Sequence, residues 1–311
     1  MTTTCSAPGK IYLFGEHAVV YGKRAIASAI NLRTTAAVSE SDQTTISSIL
    51  GTTGIDYMVH PYISRCIESL AVPPVSVRID SEIPVGSGLG SSAAAVIATL
   101  SALNSEFRLM MDSVTLAEVG HRIERDVQGS ASPTDTAVST MGGTMLVNPG
   151  ESSLRLRMIE CDIVIGDTEE FSSTKELVGN VRILHESYPG IMDSIFDTID
   201  NLSESGVPLI ESGDYRSVGE LMNIDHGLLD AIGVGSAKLS RLVHAARDAG
   251  AYGAKITGAG GGGCIVALVR GLGDVGGVGG ADAVASAIND AGGRAIITKA
   301  SEEGVVVRET F

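Results

Sequence analysis

The chain has 311 residues and a formal net charge of −15, with 44% hydrophobic and 19% charged residues, 38 glycines and no tryptophan. That length suits two ordinary domains, or one large one, and the composition describes a loop-rich α/β protein rather than a disordered or fibrous one. The acidity argues against nucleic acid, which selects clustered lysine and arginine, and no apolar run reaches the length of a membrane span.

Residues 1–6 lack the basic flank and apolar stretch of a secretory leader, so a cytoplasmic location is expected. Residues 10–14 read as a short strand, followed by a turn at Gly15-Glu16-His17 and an apolar stretch 18–21 that ends at Gly22. Two further strands are expected at 25–30 and 34–38. Ile63, Cys66, Ile67 and Leu70 then fall on one helical face. Val75-Ser76-Val77-Arg78-Ile79-Asp80 alternates apolar and polar side chains, as a half-buried strand does.

Next comes the most informative segment, Pro84-Val85-Gly86-Ser87-Gly88-Leu89-Gly90-Ser91-Ser92-Ala93-Ala94, leading into an alanine-rich helix over 91–103. Glycines let the backbone approach an anion closely, and the free amides and positive dipole end of a following helix favour phosphate there. Val119, Ile123 and Val127 mark another helix, and 143–148 a strand. The polar residues 149–153 are the expected domain boundary, giving domains 1–155 and 156–311.

Beyond it, 161–166 reads as a buried strand, followed by a long run of helical periodicity. Leu239, Leu242, Val243 and Ala246 form a one-faced helix. It leads to a strand at 254–257, a glycine run at 258–263 and an apolar strand at 264–269. The glycine-rich segment 271–280 reads as a surface connection before a helix around 282–291. Cys5, Cys66, Cys161 and Cys264 show no paired spacing, and the histidines no metal-ligand spacing, so buried reduced thiols are expected.

Four elements carry chemistry: Lys10, the glycine-serine loop, the carboxylates Glu124 and Asp135, and the glycine run at 258–263. Together they suit phosphoryl transfer from a nucleotide, which needs a phosphate cradle, a cation and a group that orients the attacking oxygen. Magnesium takes hard oxygen ligands, and Ser92 and Glu124 suit it. Asp135, expected in a small-residue loop over 129–135, would face a substrate hydroxyl, with Lys10 holding it ionised. Each residue has a plainer reading when taken alone. Glu124 is a solvated helix residue, Asp135 a turn or cap residue after Pro133, Lys10 a snorkelling strand lysine, and 258–263 a tight turn.

In combination these segments resemble the successive motifs of the GHMP kinases. The matching stretches are residues 8–22, 84–94, Glu124 through Asp135, and 255–264, in the family's order. Within that superfamily the chain most resembles the mevalonate kinases in their shorter archaeal form. The resemblance implies an α+β fold: an N-terminal domain with a left-handed βαβ crossover, a ferredoxin-like C-terminal domain and the active site between them. It implies that Asp135 and Lys10 are the catalytic pair. Pro84, Gly86, Ser87, Gly88, Leu89, Gly90, Ser91 and Ser92 would wrap the phosphates of ATP, and Ser92 and Glu124 would hold Mg2+. Glu16, His17, Thr174 and Gly260 would lie at the mevalonate site.

A homodimer is expected from relatives, with no nucleic-acid or membrane partner. The alternatives are a kinase for another isoprenoid intermediate or small alcohol, or a non-catalytic nucleotide- or metabolite-binding regulator on the same fold.

Overall fold

The structure is a computed structural model that describes residues 2–129, 131–150, 153–270 and 280–310. Two long strands, β1 (Thr3–Phe14) and β2 (Ala25–Glu40), flank a short 3-10 turn at Ala18–Tyr21. They are followed by β3 (Thr45–Ser48), β4 (Gly51–Thr53), α1 (Pro61–Leu70) and β5 (Val75–Ser81). Next come α2 (Ser91–Glu106), α3 (Ser113–Gln128), α4 (Pro133–Met141), β6 (Thr144–Val147) and β7 (Leu154–Leu156). The second half begins with β8 (Asp162–Asp167) and continues through α5 (Thr174–Ser187), α6 (Pro189–Ser212), α7 (Tyr215–Ala231) and α8 (Ala237–Asp248). It closes with β9 (Gly253–Thr257), β10 (Cys264–Val269), α9 (Ala281–Asp290), β11 (Arg294–Thr298) and β12 (Val306–Thr310).

The strands form two sheets. The larger runs β12-β1-β2-β5-β3-β4, with β6 pairing β2 and β7 pairing β6; among the described residues only β3 and β5 pair in parallel. The smaller runs β11-β8-β10-β9, all antiparallel. Numbered by their place in the chain, its strands lie in the order 4-1-3-2 of a ferredoxin-like split βαβ unit. The expected division at 155/156 falls inside β7, and β12 returns from the second half to pair with β1.

α2 has apolar or small residues on almost every face, and it is buried against β1 and β2. Its Val96, Ile97 and Leu100 share one core with Ile11, Leu13 and Ile26 of the strands. A second core joins Val164, Ile256 and Ile265 of the smaller sheet to Leu239, Leu242 and Phe196 of its helices.

The structure corrects the expectation of separate strands at 25–30 and 34–38: β2 runs unbroken through Asn31, Leu32 and Arg33, with a bulge there in its pairing with β1. The register against β1 shifts between Pro8 and Gly9, and Arg33 turns inward. Its guanidinium donates to the carbonyls of Ser6, at 2.8 Å, and Gly304, at 2.6 Å. All four cysteines are buried and free. No helix among the described residues is long and apolar enough to cross a membrane. Most of the glycine-rich connection, 271–279, lies outside the described residues.

Candidate active site

Lys10 points inward from β1 and is 2% exposed. Its ammonium donates to the carbonyl of Gly88 at 3.0 Å, and its backbone N–H donates to the carbonyl of Leu89 at 2.8 Å, so the strand grips the glycine-serine loop from below. Gly88 and Gly90 have φ of +75° and +74°, the left-handed region that favours glycine. A Cβ on Gly88 would stand 2.9 Å from the Thr257 carbonyl oxygen, so the loop is held between β1 and the turn after β9. Gly90 is the N-cap of α2 and supplies no side-chain cap, which leaves first-turn amides open to an anion. Gly86, Gly88, Gly90, Ser91 and Ser92 face one cavity of about 480 Å³. Ser87 is turned away, its hydroxyl donating to the Pro84 carbonyl at 2.7 Å, and Leu89 belongs to the core.

Asp135 does not sit in a loop. Ser132 caps Thr134, Pro133 opens α4, and Asp135 lies in that helix's first turn, where the dipole favours a negative charge. The structure therefore corrects the expected loop over 129–135 at its end: proline after a capping serine starts a helix at 133, which takes in Asp135. Lys10 Nζ lies 3.6 Å from Asp135 Oδ2, and the Tyr12 hydroxyl donates to Oδ1 at 3.0 Å. Asp135 keeps a quarter of its side-chain surface open, on the cavity that Lys10 and Tyr12 also line.

Glu124, on α3, is 3% exposed and accepts a 2.7 Å hydrogen bond from the Ser92 hydroxyl. Burial, and then the nearby Asp135 charge, push its carboxyl up to about 8. An oxygen pair of hydroxyl and charge-deficient carboxylate suits a hard divalent cation, which would supply the missing positive charge. No larger cluster of metal-ligating side chains occurs among the described residues.

The opposite wall comes from the Gly15-Glu16-His17 turn, from residues 171–175 and from the turn after β9. His17, at φ 59°, shares a 2.9 Å hydrogen bond between Nε2 and the Ala259 carbonyl. Only the ring can donate in that pair, so Nε2 carries the proton. Burial lowers the histidine's pKa, so Nδ1 remains an acceptor.

Glu16 presents a different picture from its neighbour, because its carboxylate accepts from the ammonium of Lys255 on β9. Asp225 of α7 lies 3.2 Å from the same nitrogen, and all three side chains are fully buried. Two carboxylates around one ammonium leave excess negative charge, and burial pushes Asp225 up to about 7. Thr174 is exposed at the start of α5, on the cavity wall. Gly260 is buried against Val234, where a Cβ would stand 2.2 Å from the carbonyl oxygen; its neighbours Gly258 and Ala259 are the ones that face the cavity.

Sequence reasoning missed Tyr12, Lys255 and Asp225 as contributors. Tyr12 and Lys255 sat inside recognised motifs, a signal that was available, whereas Asp225 carried none.

Comparison with known proteins identifies the family. The family models described as GHMP kinases N terminal domain and GHMP kinases C terminal match residues 59–143 and 207–290, and a galactokinase galactose-binding signature matches 2–40. The fold and site thus define a kinase of the GHMP superfamily. A mevalonate kinase of Pyrococcus abyssi is 42% identical, over 98% of this chain and 97% of its own length. One of Archaeoglobus fulgidus is 43% identical, over 86% and 92%. The chain belongs to the mevalonate kinase family. The crystal structure of the Methanococcus jannaschii mevalonate kinase superposes with a TM-score of 0.81 at 27% identity, covering 96% of this chain and 98% of that one.

Proposed function

We propose that this protein transfers the γ-phosphoryl group of ATP to the 5-hydroxyl of (R)-mevalonate. The observation that carries the reading is the Lys10–Asp135 pair opening onto the same cavity as the glycine loop and the uncapped start of α2. Full-length similarity to curated mevalonate kinases supplies the substrate. The galactokinase signature covers only 2–40, the strand and turn that the two kinds of kinase share.

In this reading the loop amides and the α2 N-terminus bind the phosphates, placing the transferring group before the substrate oxygen. Asp135 accepts the hydrogen bond of the attacking hydroxyl and takes up its proton as the O–P bond forms. Lys10 pairs with that carboxylate and offsets charge developing on the oxygen. Neutral His17 holds a substrate oxygen, and Thr174 flanks the opposite wall. Ser92 and Glu124 would hold Mg2+, which when bound neutralises charge on the phosphates. Transfer is direct and in line: Asp135 takes the hydroxyl proton, and no histidine or cysteine among the described residues lies in a motif suited to a phosphoenzyme. The buried free thiols fit a cytoplasmic setting.

The test is an ADP-release assay with ATP, Mg2+ and, separately, mevalonate, phosphomevalonate, homoserine and galactose. Turnover with mevalonate alone is expected, and Asp135→Asn should lower it by about two orders of magnitude while nucleotide still binds. Turnover with another alcohol in its place, or a fully active Asp135→Asn enzyme, would overturn the reading.

A further inference from the structure

We propose that Tyr12 is a positioning residue for Asp135: its hydroxyl ties one carboxylate oxygen so that the other, beside Lys10, faces the incoming alcohol. The inference rests on Asp135 being the group that meets the substrate hydroxyl.

The ring and the hydroxyl of Tyr12 have separate explanations. Packing accounts for the ring, which lies in a small cluster with Ala25, Ala27, Ala29, Val138 and Met145. Alanines on the neighbouring strand make room for it, and the Lys10 ammonium sits 4.2 Å from its centroid. A phenylalanine would satisfy all of this, so packing leaves the hydroxyl unexplained.

That hydroxyl has a single proton and two acceptors in reach, Asp135 Oδ1 at 3.0 Å and Ser132 Oγ at 3.3 Å. The charged, nearer oxygen is the stronger acceptor. Ser132 donates its own proton onward to Thr134 Oγ1 at 2.9 Å and accepts from the Thr134 amide, so the local network already has a direction. Burial holds the phenol well above its ordinary pKa, with the Asp135 charge acting the same way, so Tyr12 stays a donor.

Untied, an aspartate side chain has a broad, roughly two-fold terminal torsion and can exchange its oxygens. Tyr12 on Oδ1 and Lys10 at 3.6 Å from Oδ2 remove that freedom. The backbone of Tyr12 extends the same control across the cavity: its N–H donates to Thr257 Oγ1 at 2.9 Å, immediately before the Gly258 turn. One strand residue thereby fixes the carboxylate on α4 and the turn opposite it.

The experiment is a double-mutant cycle on the full chain with mevalonate and MgATP, using Tyr12→Phe, Asp135→Asn and the double variant, with thermal midpoints recorded for each. Tyr12→Phe should lower kcat about tenfold, with KM for both substrates changed less than about twofold, as expected for a lost hydrogen bond to a charged group that acts after binding. In the Asp135→Asn background the same change should cost nothing further, because the carboxylate it positions is gone.

Wild-type kcat in Tyr12→Phe beside a crippled Asp135→Asn enzyme overturns the inference alone. An equal loss in both backgrounds also overturns it, since that is the behaviour of a packing residue. A fully active Asp135→Asn enzyme instead removes the reading on which the inference stands.

Discussion

Replacing Lys255 by methionine keeps the stem of a fully buried side chain and deletes the charge that Glu16 and Asp225 share. Two carboxylates then remain fully buried without the ammonium they shared. Removing one partner of a buried ion pair costs about 3–5 kcal/mol. At about 2.1 cal/mol/K of unfolding entropy per residue, that corresponds in a chain of 311 residues to a fall of about 5–8 °C in thermal midpoint.

The loss should depend on pH in a particular direction. Asp225 already sits at about 7, above its ordinary value of 3.8, because burial outweighs the pull of Lys255. A group raised in the folded state contributes fully below its unfolded value, and that contribution is lost as pH rises through the folded one. Removing Lys255 deletes the cause that lowers it and raises it further. The deficit should therefore be largest above pH 7 and shrink towards pH 5, where the Asp225 carboxyl carries its proton in both proteins. Circular-dichroism melts of wild type, Lys255→Met and Lys255→Met/Asp225→Asn at pH 5 and pH 8 read this directly, with the double variant recovering part of the loss at pH 8. A Lys255→Met midpoint equal to wild type at pH 8, or a deficit identical at both pH values, would refute the reasoning.

Two further outcomes concern the phosphate side. Glu124→Gln should raise the Mg2+ concentration for half-maximal activity by at least about tenfold. It should leave the thermal midpoint of metal-free protein unchanged near pH 7, since a carboxyl at about 8 is already mostly protonated there; unchanged Mg2+ dependence would remove Glu124 as a ligand. Gly88→Ala forces a side chain into a φ of +75° and against the Thr257 carbonyl. A left-handed non-glycine residue costs about 1–2 kcal/mol, so KM for ATP should rise about tenfold, measured with saturating mevalonate, and an unchanged value would show that the loop relaxes freely.

What was legible in the sequence was local. The glycine-serine loop, its alanine-rich helix and the strand before them announce themselves within twenty residues, because turn chemistry and periodicity are short-range signals. Lys10, Glu124 and Asp135 were identified as types suited to phosphoryl transfer, and the motif order did the rest. The Tyr12–Asp135 bond spans 123 residues and the Glu16–Lys255 pair 239, distances over which single-chain patterns say nothing. That gap explains why the pairing of Glu16 with Lys255 on β9 went unseen in the sequence. The helix α4 was hidden for another reason: small polar residues read as loop, and the cap-plus-proline start was outweighed by composition.

The placement of β12 beside β1 has a bearing on how the molecule is made. Residues Thr3, Cys5 and Ser6 pair with Thr310, Val307 and Val306, so one side of the strand that carries Lys10 and Tyr12 is finished only when chain from 300 residues downstream arrives. Contacts of such separation form late and slow the folding of the whole. Until then β1 presents an open edge, and apolar strands with open edges are where partly folded chains recruit one another. The strand that organises catalysis in the finished enzyme is thus also an edge through which the partly folded protein can associate with itself.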